Sequence, residues 1–230
     1  MMRYPVFFIT VSVVFGGVAV RNGGASLILL WPAVSFALVG SAYAGLGTRI
    51  FGKRSNGTLD PFCATVLFPY LIFPWLVWQA VRVGTREPAF HPLIDGIFIG
   101  RRLLTDEYPP GIESVVDLTC EFSESKHVRE GRTYRSLPTL DASAPESAAL
   151  EALIKEIIQL QRGVYIHCAE GHGRTATVAA ALLLYIGEAT SVNDAINFVL
   201  QRRPKARMNS AQRSMVESFA ATLCEERITV

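Results

Sequence analysis

Acidic residues are almost missing from the first 90 positions of this chain. Asp60 and Glu87 are the only two, against seven lysines and arginines, whereas residues 91–230 hold eighteen acidic and fifteen basic residues. A basic, apolar front is therefore joined to a mildly acidic back, and the net charge of the whole chain is only +2. This balance does not indicate a globally basic nucleic-acid-binding protein, and we expect no nucleic acid among its partners.

Cysteine is also scarce, and its spacing excludes two kinds of structure. The four cysteines, at positions 63, 120, 168 and 224, form no Cys-x-x-Cys pair and no Cys/His cluster with metal-ligand spacing. A zinc site is therefore not expected. A disulfide framework is not expected either, because such frameworks belong to small secreted domains. The pattern favours free thiols in a reducing compartment.

Three uncharged apolar runs fill the front of the chain, at about residues 5–20, 25–47 and 62–81. A helix needs about 20 apolar residues to cross roughly 30 Å of hydrocarbon. The second run meets this length outright and the first is short. The third is long enough but contains Pro69 and Pro74, which kink or break a helix. We predict a membrane region of two or three hydrophobic segments over residues 1–83.

The side of the membrane on which the rest of the chain lies depends on the third run. The loop 48–58 carries three basic residues and should face the cytoplasm. If all three runs cross, the C-terminal domain lies outside. If the first two form a hairpin and a proline-broken third lies in the interface, where Tyr70, Trp75 and Trp78 are well suited, that domain lies inside. The second arrangement is favoured, giving a multi-pass membrane protein with a cytoplasmic C-terminal domain.

Residues 84–92 have the composition of a linker, and residues 93–226 that of a globular domain. Short apolar runs predict strands at 97–100, 114–119, 133–137 and 164–167. Helical patterns predict helices at 143–161, 174–186, 191–203 and 209–224, the first of them opened by a capping box of Ser143 and Glu146. Strands that alternate with helices indicate an α/β fold, with a mainly parallel central sheet flanked by helices.

The segment Val164–Thr177, VYIHCAEGHGRTAT, holds the predicted site. A strand ends at His167 and a helix begins near Arg174, so residues 168–173, here named the phosphate loop, lie at a helix N-terminus, where backbone N–H groups bind anions. Gly171 and Gly173 allow the loop to curl around an oxyanion. The same positive field favours the thiolate form of Cys168. Arg174 offers a planar fork that matches two phosphate oxygens.

His-Cys-x5-Arg-Thr at 167–175 resembles the signature of the cysteine-dependent protein tyrosine phosphatases, and the segment is most similar to their dual-specificity branch. The resemblance covers roughly residues 90–225. It implies that Cys168 attacks phosphorus and forms a thiophosphate, and that Arg174 binds the phosphoryl oxygens. It implies no metal and no cofactor. The substrate phosphate is then bound by Arg174 and by five residues of the phosphate loop, namely Ala169, Glu170, Gly171, His172 and Gly173.

The chemistry also needs an acid, because an alkoxide is a poor leaving group. Asp141 lies on a loop between a predicted strand and a predicted helix, and its position matches the acid of the family. It is the predicted proton donor, and then the base for the water that hydrolyses the intermediate. Asp117 is the competitor, but it lies inside a predicted strand, which favours a structural role.

Neighbouring residues have supporting roles in this interpretation. His167 orients the loop or tunes the thiolate, and the hydroxyl of Thr175 stabilises the departing thiolate. Glu170 ties the loop together, whereas His172 touches substrate or is solvated. The loop has no lysine, which disfavours highly charged inositides. The turn 201–207 is expected to be a solvated basic turn, with the binding of an acidic or phosphorylated partner as the alternative.

Three functions remain open from the sequence. The leading one is a membrane-anchored dual-specificity phosphatase acting on phosphoproteins. The second applies the same chemistry to a membrane phospholipid monoester, such as phosphatidylglycerophosphate. The third is an inactive phosphate-binding module. A reversible disulfide between Cys120 and Cys168 is a further hypothesis, since exposed thiolates are easily oxidised.

Overall fold

The computed structural model describes residues 3–160 and 163–228, and the chain forms two compact units. The first unit runs to Val83 and includes the short segment Cys120–Ser123. The second consists of Gly84–Thr119 and the chain from Glu124 onwards. The predicted helix end at Gln161 lies outside the described residues.

The first unit consists mainly of apolar helices. They are α1 (Arg3–Asn22), a helical stretch Gly24–Phe51 that contains α2 (Leu30–Ser41), and α3 (Pro61–Gly84). All three stretches are long and apolar enough to cross a membrane. They coincide with the three apolar runs predicted from the sequence, and most of their large side chains face outward.

Close approach of α1 and α2 explains a glycine within the second apolar run. A Cβ atom at Gly40 would lie 2.8 Å from Cδ1 of Ile9, so a larger residue would push the helices apart. The hydroxyl of Ser12 donates a hydrogen bond of 2.7 Å to the carbonyl of Ala33 on the facing helix. Small residues and hydroxyl groups at a helix contact are typical of packing within membranes.

The third helix is not broken at its prolines, which corrects the sequence-based expectation. Pro69 has no N–H to give to the carbonyl of Thr65, and the indole N–H of Trp31 donates to that carbonyl instead, at 3.1 Å. A side chain of the neighbouring helix α2 thus donates the hydrogen bond to the Thr65 carbonyl that Pro69 cannot donate, as is known for prolines in other apolar helices. Tyr70 and Trp78, expected at an interface, are buried in the protein.

The second unit is built on a five-stranded sheet in the order β1-β2-β5-β3-β4. The strands are β1 (Phe90–Ile94), β2 (Ile97–Arg101), β3 (Ser114–Thr119), β4 (Thr133–Thr139) and β5 (Val164–Cys168). The β1–β2 pair is antiparallel, and all other pairs are parallel. The mainly parallel sheet predicted from the alternation of strands and helices is therefore confirmed.

Helices cover both faces of this sheet. They are α4 (Lys126–Gly131), α5 (Ser147–Gln159), α6 (Gly173–Ile186), α7 (Val192–Arg202) and α8 (Ser210–Ile228). The last four pack with Val164, Ile166 and Cys168 of β5 in the larger core cluster, where α6 is buried along most of its length. Tyr165 faces the opposite way and packs with Val128 of α4, as the period-two alternation of a strand requires.

Two of the boundaries that differ from the sequence prediction bear on the site or the sheet. Strand β1 begins at Phe90, inside the segment 84–92 that has the composition of a linker; because β1 is an edge strand, it tolerates Pro92. Helix α5 begins at Ser147 rather than 143, and the predicted capping box is wrong, because the N-cap Glu146 makes no side-chain cap bond. Residues 140–146, here named the acid loop, stay non-helical.

Shortening a side chain within α6 tests whether this helix is the centre of the core. Leu183 is 0% exposed, and we expect Leu183→Ala to lower the free energy of unfolding by about 2–5 kcal/mol, since it leaves a cavity. Chemical unfolding of the full chain in detergent measures this change. Ile158→Ala, at a position 45% exposed, is the control, and an equal loss in both variants would contradict the assignment.

Candidate active site

The phosphate loop begins at the C-terminal end of the central strand β5. In the strand register Cys168 lies opposite Arg101 of β2, and His167 lies opposite Asp117 of β3. Cys168 is 3% exposed, and α6 starts five residues later at Gly173. The predicted strand, loop and helix are therefore found at the predicted positions, each within one residue.

Successive carbonyl groups of the loop bind donors from other parts of the second unit. The backbone N–H of Arg102 donates to the carbonyl of Ala169 at 3.1 Å. The buried guanidinium of Arg203 donates to the carbonyls of Glu170, at 3.0 Å, and Gly171, at 2.7 Å. In a planar peptide the N–H points away from the C=O, so these contacts turn the N–H groups towards the loop interior. This is the arrangement that binds an oxyanion.

Two glycines of the loop are closely packed, and one of them, Gly171, also has a conformation that favours glycine. Gly171 has φ of 73° and lies against the backbone of Gly100, so that a Cβ atom there would overlap the Gly100 carbonyl. A Cβ atom at Gly173 would lie 2.7 Å from Oε1 of Gln212. The loop is thus packed tightly against β2 and α8, and this packing fixes its curvature.

Arg174 and Asp141, predicted from distant parts of the sequence, lie together. Nη2 of Arg174 is 3.3 Å from Oδ1 of Asp141, and Nη1 donates to the carbonyl of Thr139 at 2.9 Å. Arg174 is buried, whereas the side chain of Asp141 is 73% exposed. The carboxyl group is therefore held at the mouth of the site by a guanidinium fixed within it.

Two residues of the C-terminal part hold the acid loop in place. Asn209 donates to the carbonyl of Ala142 at 2.6 Å, and Gln212 donates to the carbonyl of Ser143 at 3.1 Å. Ala142 has φ of 55°, a left-handed conformation that costs a non-glycine residue energy. These contacts explain why α5 starts late, because residues 142 and 143 are bonded to α8 and the turn before it.

A buried polar cluster lies on the other side of β5 from Cys168. A carboxylate oxygen of Asp117, one of Glu124 and a ring nitrogen of His167, all of which are atoms that can bind a metal ion, lie within 4.8 Å of one another. Both oxygens of Asp117 accept hydrogen bonds from Thr119 and Tyr134, and Oε1 of Glu124 accepts one from Arg102. The hydrogen bonds to Asp117 agree with the structural role expected of that residue, whereas Oε2 of Glu124 and Nε2 of His167 make no hydrogen bond within the described residues.

His167 is completely buried in this cluster. Burial lowers the pKa of His167, and its Nδ1 lies 3.3 Å from the carbonyl of Cys168. Nε2 lies 3.9 Å from Oε2 of Glu124. The contact with the Cys168 carbonyl is what an orienting role for His167 requires. The hydroxyl of Thr175 is buried and makes no hydrogen bond within the described residues, which leaves it available to a neighbouring group.

His172 is neither solvated nor isolated, in contrast to one of the two expectations. Its Nε2 lies 2.9 Å from Oε2 of Glu87, and its Nδ1 lies 3.5 Å from Oε2 of Glu170. Glu170 and then Glu87 raise the pKa of His172, against the effect of burial. The same contact with His172 lowers the pKa of Glu170, and it is a contact of the kind that the predicted role of tying the loop together requires.

Arg203 is the main residue that the sequence interpretation missed. The turn 201–207 was expected to be solvated or to hold an acidic partner, but Arg203 is 1% exposed and bonded to the phosphate loop. The Arg-Pro pair in this turn is the signal by which it could have been found. Glu87, Asn209 and Gln212 carry no local pattern that distinguishes them from surface residues.

Comparison with known proteins identifies the class. Residues 109–221 match the family model "Dual specificity phosphatase, catalytic domain". Residues 109–221 thus form a dual-specificity phosphatase-like domain, which confirms the resemblance seen in the sequence, and the apolar helical region precedes this domain in the chain. None of the curated protein sequences matches the chain significantly.

Solved structures show the same fold. The active form of Tk-PTP is 24% identical with a TM-score of 0.53, covering 58% of this chain and 97% of that one. PTPMT1 in complex with PI(5)P is 19% identical with a TM-score of 0.54, covering 61% and 99%. A mouse putative dual specificity phosphatase complexed with zinc tungstate is 20% identical with a TM-score of 0.52, covering 63% and 94%.

A substitution at Gly171 tests the geometry of the loop. We expect Gly171→Ala to abolish binding of tungstate, because the added methyl group collides with Gly100 and the backbone is left-handed there. Calorimetry on the full chain in detergent measures the affinity. Gly187→Ala is the matched control, since Gly187 is also left-handed, with φ of 80°, but has open space around it. Unchanged binding in Gly171→Ala would contradict the assigned loop geometry.

Proposed function

We propose that this protein is a membrane-anchored phosphatase that hydrolyses phosphate monoesters through a cysteinyl-phosphate intermediate. The observation that supports this most directly is the placement of Arg174, which is 3.3 Å from Asp141 and follows the loop that begins at Cys168. A nucleophile, a phosphate-binding cation and an acid are thus gathered from β5, α6 and the acid loop. No such grouping is needed for a structural role.

In the first step the thiolate of Cys168 attacks phosphorus on the side opposite the ester oxygen. The S–P bond forms while the P–O bond breaks, and Asp141 gives its proton to the departing oxygen. Arg174 and the loop N–H groups bind the three equatorial oxygens, on which negative charge is spread in the transition state. The hydroxyl of Thr175 is available to the sulfur when it becomes the leaving group.

In the second step Asp141, now ionised, accepts a proton from a water molecule that attacks the thiophosphate. The P–O bond to water forms, the S–P bond breaks, and inorganic phosphate leaves. Since the acid of the first step is the base of the second, one carboxyl group serves both. Its exposed position at the mouth of the site gives water access to it.

Phosphoproteins are the favoured substrate class. The side chain of Asp141 is 73% exposed at the mouth of the site, where a phosphate ester carried on a protein surface can reach it. The phosphate loop contains no lysine and is followed by one arginine, which suits a single phosphate group better than a polyphosphorylated one.

A membrane phospholipid monoester is the second candidate, and the helical region favours it. Only residues 85–89 separate the end of α3 from the start of β1. Five residues span at most about 18 Å, so an α3 helix embedded in the bilayer would tether the catalytic domain near the lipid head groups. Confinement of this kind raises the local concentration of a lipid substrate.

Phosphate release by the full chain in reduced detergent solution tests the proposal. The panel holds phosphotyrosine and phosphothreonine peptides and phosphatidylglycerophosphate in mixed micelles. We expect activity in the wild type, none in Cys168→Ser, and a loss of about 10²–10⁴-fold in Asp141→Asn, because the leaving oxygen is no longer protonated. Asp106→Asn, at an exposed acid, is the control.

The outcomes separate the three functions. The preferred member of the panel decides between protein and lipid. Tungstate binding without hydrolysis of any ester would instead support an inactive phosphate-binding module. Equal activity in Cys168→Ser and the wild type would refute the thiophosphate route.

The cytoplasmic position of the catalytic domain is a separate proposal that labelling tests. Cys224 in α8 is exposed, so it serves as a natural probe once the other three cysteines are replaced by alanine. We expect a membrane-impermeant maleimide to label it in inside-out vesicles and not in right-side-out ones. Asn22→Cys in the same background should show the reverse pattern. Labelling of Cys224 in right-side-out vesicles would place the domain outside.

A further inference from the structure

Glu87, which lies three residues after the end of α3, contacts the phosphate loop and the arginine behind it. Its Oε2 is 2.9 Å from Nε2 of His172, and its Oε1 is 3.4 Å from Nη2 of Arg203. The carboxyl group is buried. A buried carboxylate requires compensating positive charge, and here two cationic side chains share it.

The buried guanidinium of Arg203 depends on the carboxylate of Glu87 for charge compensation. The phosphate loop in turn depends on Arg203 for hydrogen bonds to its carbonyls. The guanidinium is buried, and the acceptors of its N–H groups are neutral. They are the carbonyls of Glu170, Gly171 and Pro88 and Nδ1 of His91. Hydrogen bonds alone do not offset the loss of hydration of a buried cation. The negative charge of Glu87 stabilises the guanidinium that keeps the two loop carbonyls turned outward.

His172 joins the same group from within the loop. Three charged groups face it: Glu170 of its own loop, Glu87 of the segment before β1, and Arg203 at the end of α7. The two carboxylates favour the imidazolium, and Arg203 opposes it. Protonated His172 bridges Glu170 and Glu87, whereas neutral imidazole carries a single N–H and can donate to only one of them.

We propose that Glu87 is a positioning residue for the phosphate loop, acting through Arg203 on its carbonyls and through protonated His172 on its conformation. The inference deepens the proposed phosphatase function, since it assigns what holds that site in its oxyanion-binding form. It also makes oxyanion affinity dependent on pH. Because the pKa of His172 is raised in the folded protein, the bridge is complete at lower pH and is lost as pH rises through that pKa.

The test uses the full chain in detergent with Cys168→Ser, so that neither hydrolysis nor the thiol affects the result. Tungstate is titrated by calorimetry at several pH values on either side of the titration of His172. Labelled-histidine NMR follows His172 in the same samples, with His172→Gln to assign its signal. The variants are Glu87→Gln, which keeps the shape and removes the charge, and Glu188→Gln at an exposed position as the matched control.

We expect tungstate affinity to fall roughly tenfold as His172 loses its proton, since the bridge between Glu170 and Glu87 that holds the loop is then lost. In Glu87→Gln the titration midpoint of His172 should fall by about one pH unit, and the inflexion in affinity should move with it. Glu188→Gln should match the parent. In His172→Gln the inflexion should disappear.

Two results would overturn the inference. One is a His172 midpoint that Glu87→Gln leaves unchanged. The other is a tungstate affinity that Glu87→Gln leaves unchanged at every pH, because neither the contact with Arg203 nor the bridge through His172 would then support the loop. If Glu87→Gln does not fold, persistence of the inflexion in His172→Gln refutes the inference by itself. Failure of the proposed phosphatase function would give another result. The wild type would hydrolyse no ester, while tungstate affinity would still change with the protonation of His172.

Discussion

The site depends on the direction of a few peptide groups. An oxyanion can be bound by backbone N–H groups only if the corresponding carbonyls point elsewhere and find donors there. Arg203 supplies those donors for Glu170 and Gly171, and the N–H of Arg102 supplies one for Ala169. The anion-binding face of the loop is therefore created by cation and amide contacts on its opposite face.

The sequence predicted well those strands and helices that are determined by their own residues. Strand β3 was placed at its observed bounds, and α6 within one residue, because an apolar run or an apolar helix between glycines is specified by its own residues. The pairing of Arg174 with Asp141 is of another kind: it followed from the demands of the chemistry and from the family resemblance, since nothing local joins positions 141 and 174.

The parts that sequence could not predict depend on contacts between distant positions. The continuity of α3 across Pro69 rests on Trp31, 34 residues before the Thr65 carbonyl that it binds. The late start of α5 rests on Asn209 and Gln212, which bond the acid loop. Composition predicted a solvated basic turn around Arg203 because a charged residue is normally exposed, and only a specific buried acceptor set reverses that expectation.

The charged side chains around the phosphate loop influence which phosphate-containing ligands would bind there. Arg174 is paired with the carboxylate of Asp141, and His172 faces the carboxylates of Glu87 and Glu170. The positive charge of each is therefore already balanced by acidic groups. Arg203 is turned to the carbonyl side of the loop and to Glu87. A ligand with several phosphate groups would bring negative charge towards Glu170 and Asp141 with little to balance it. On the proposed mechanism, a single phosphate dianion would replace Asp141 as the partner of Arg174 once that acid is protonated. Substrate binding would then be coupled to the protonation that the first chemical step requires.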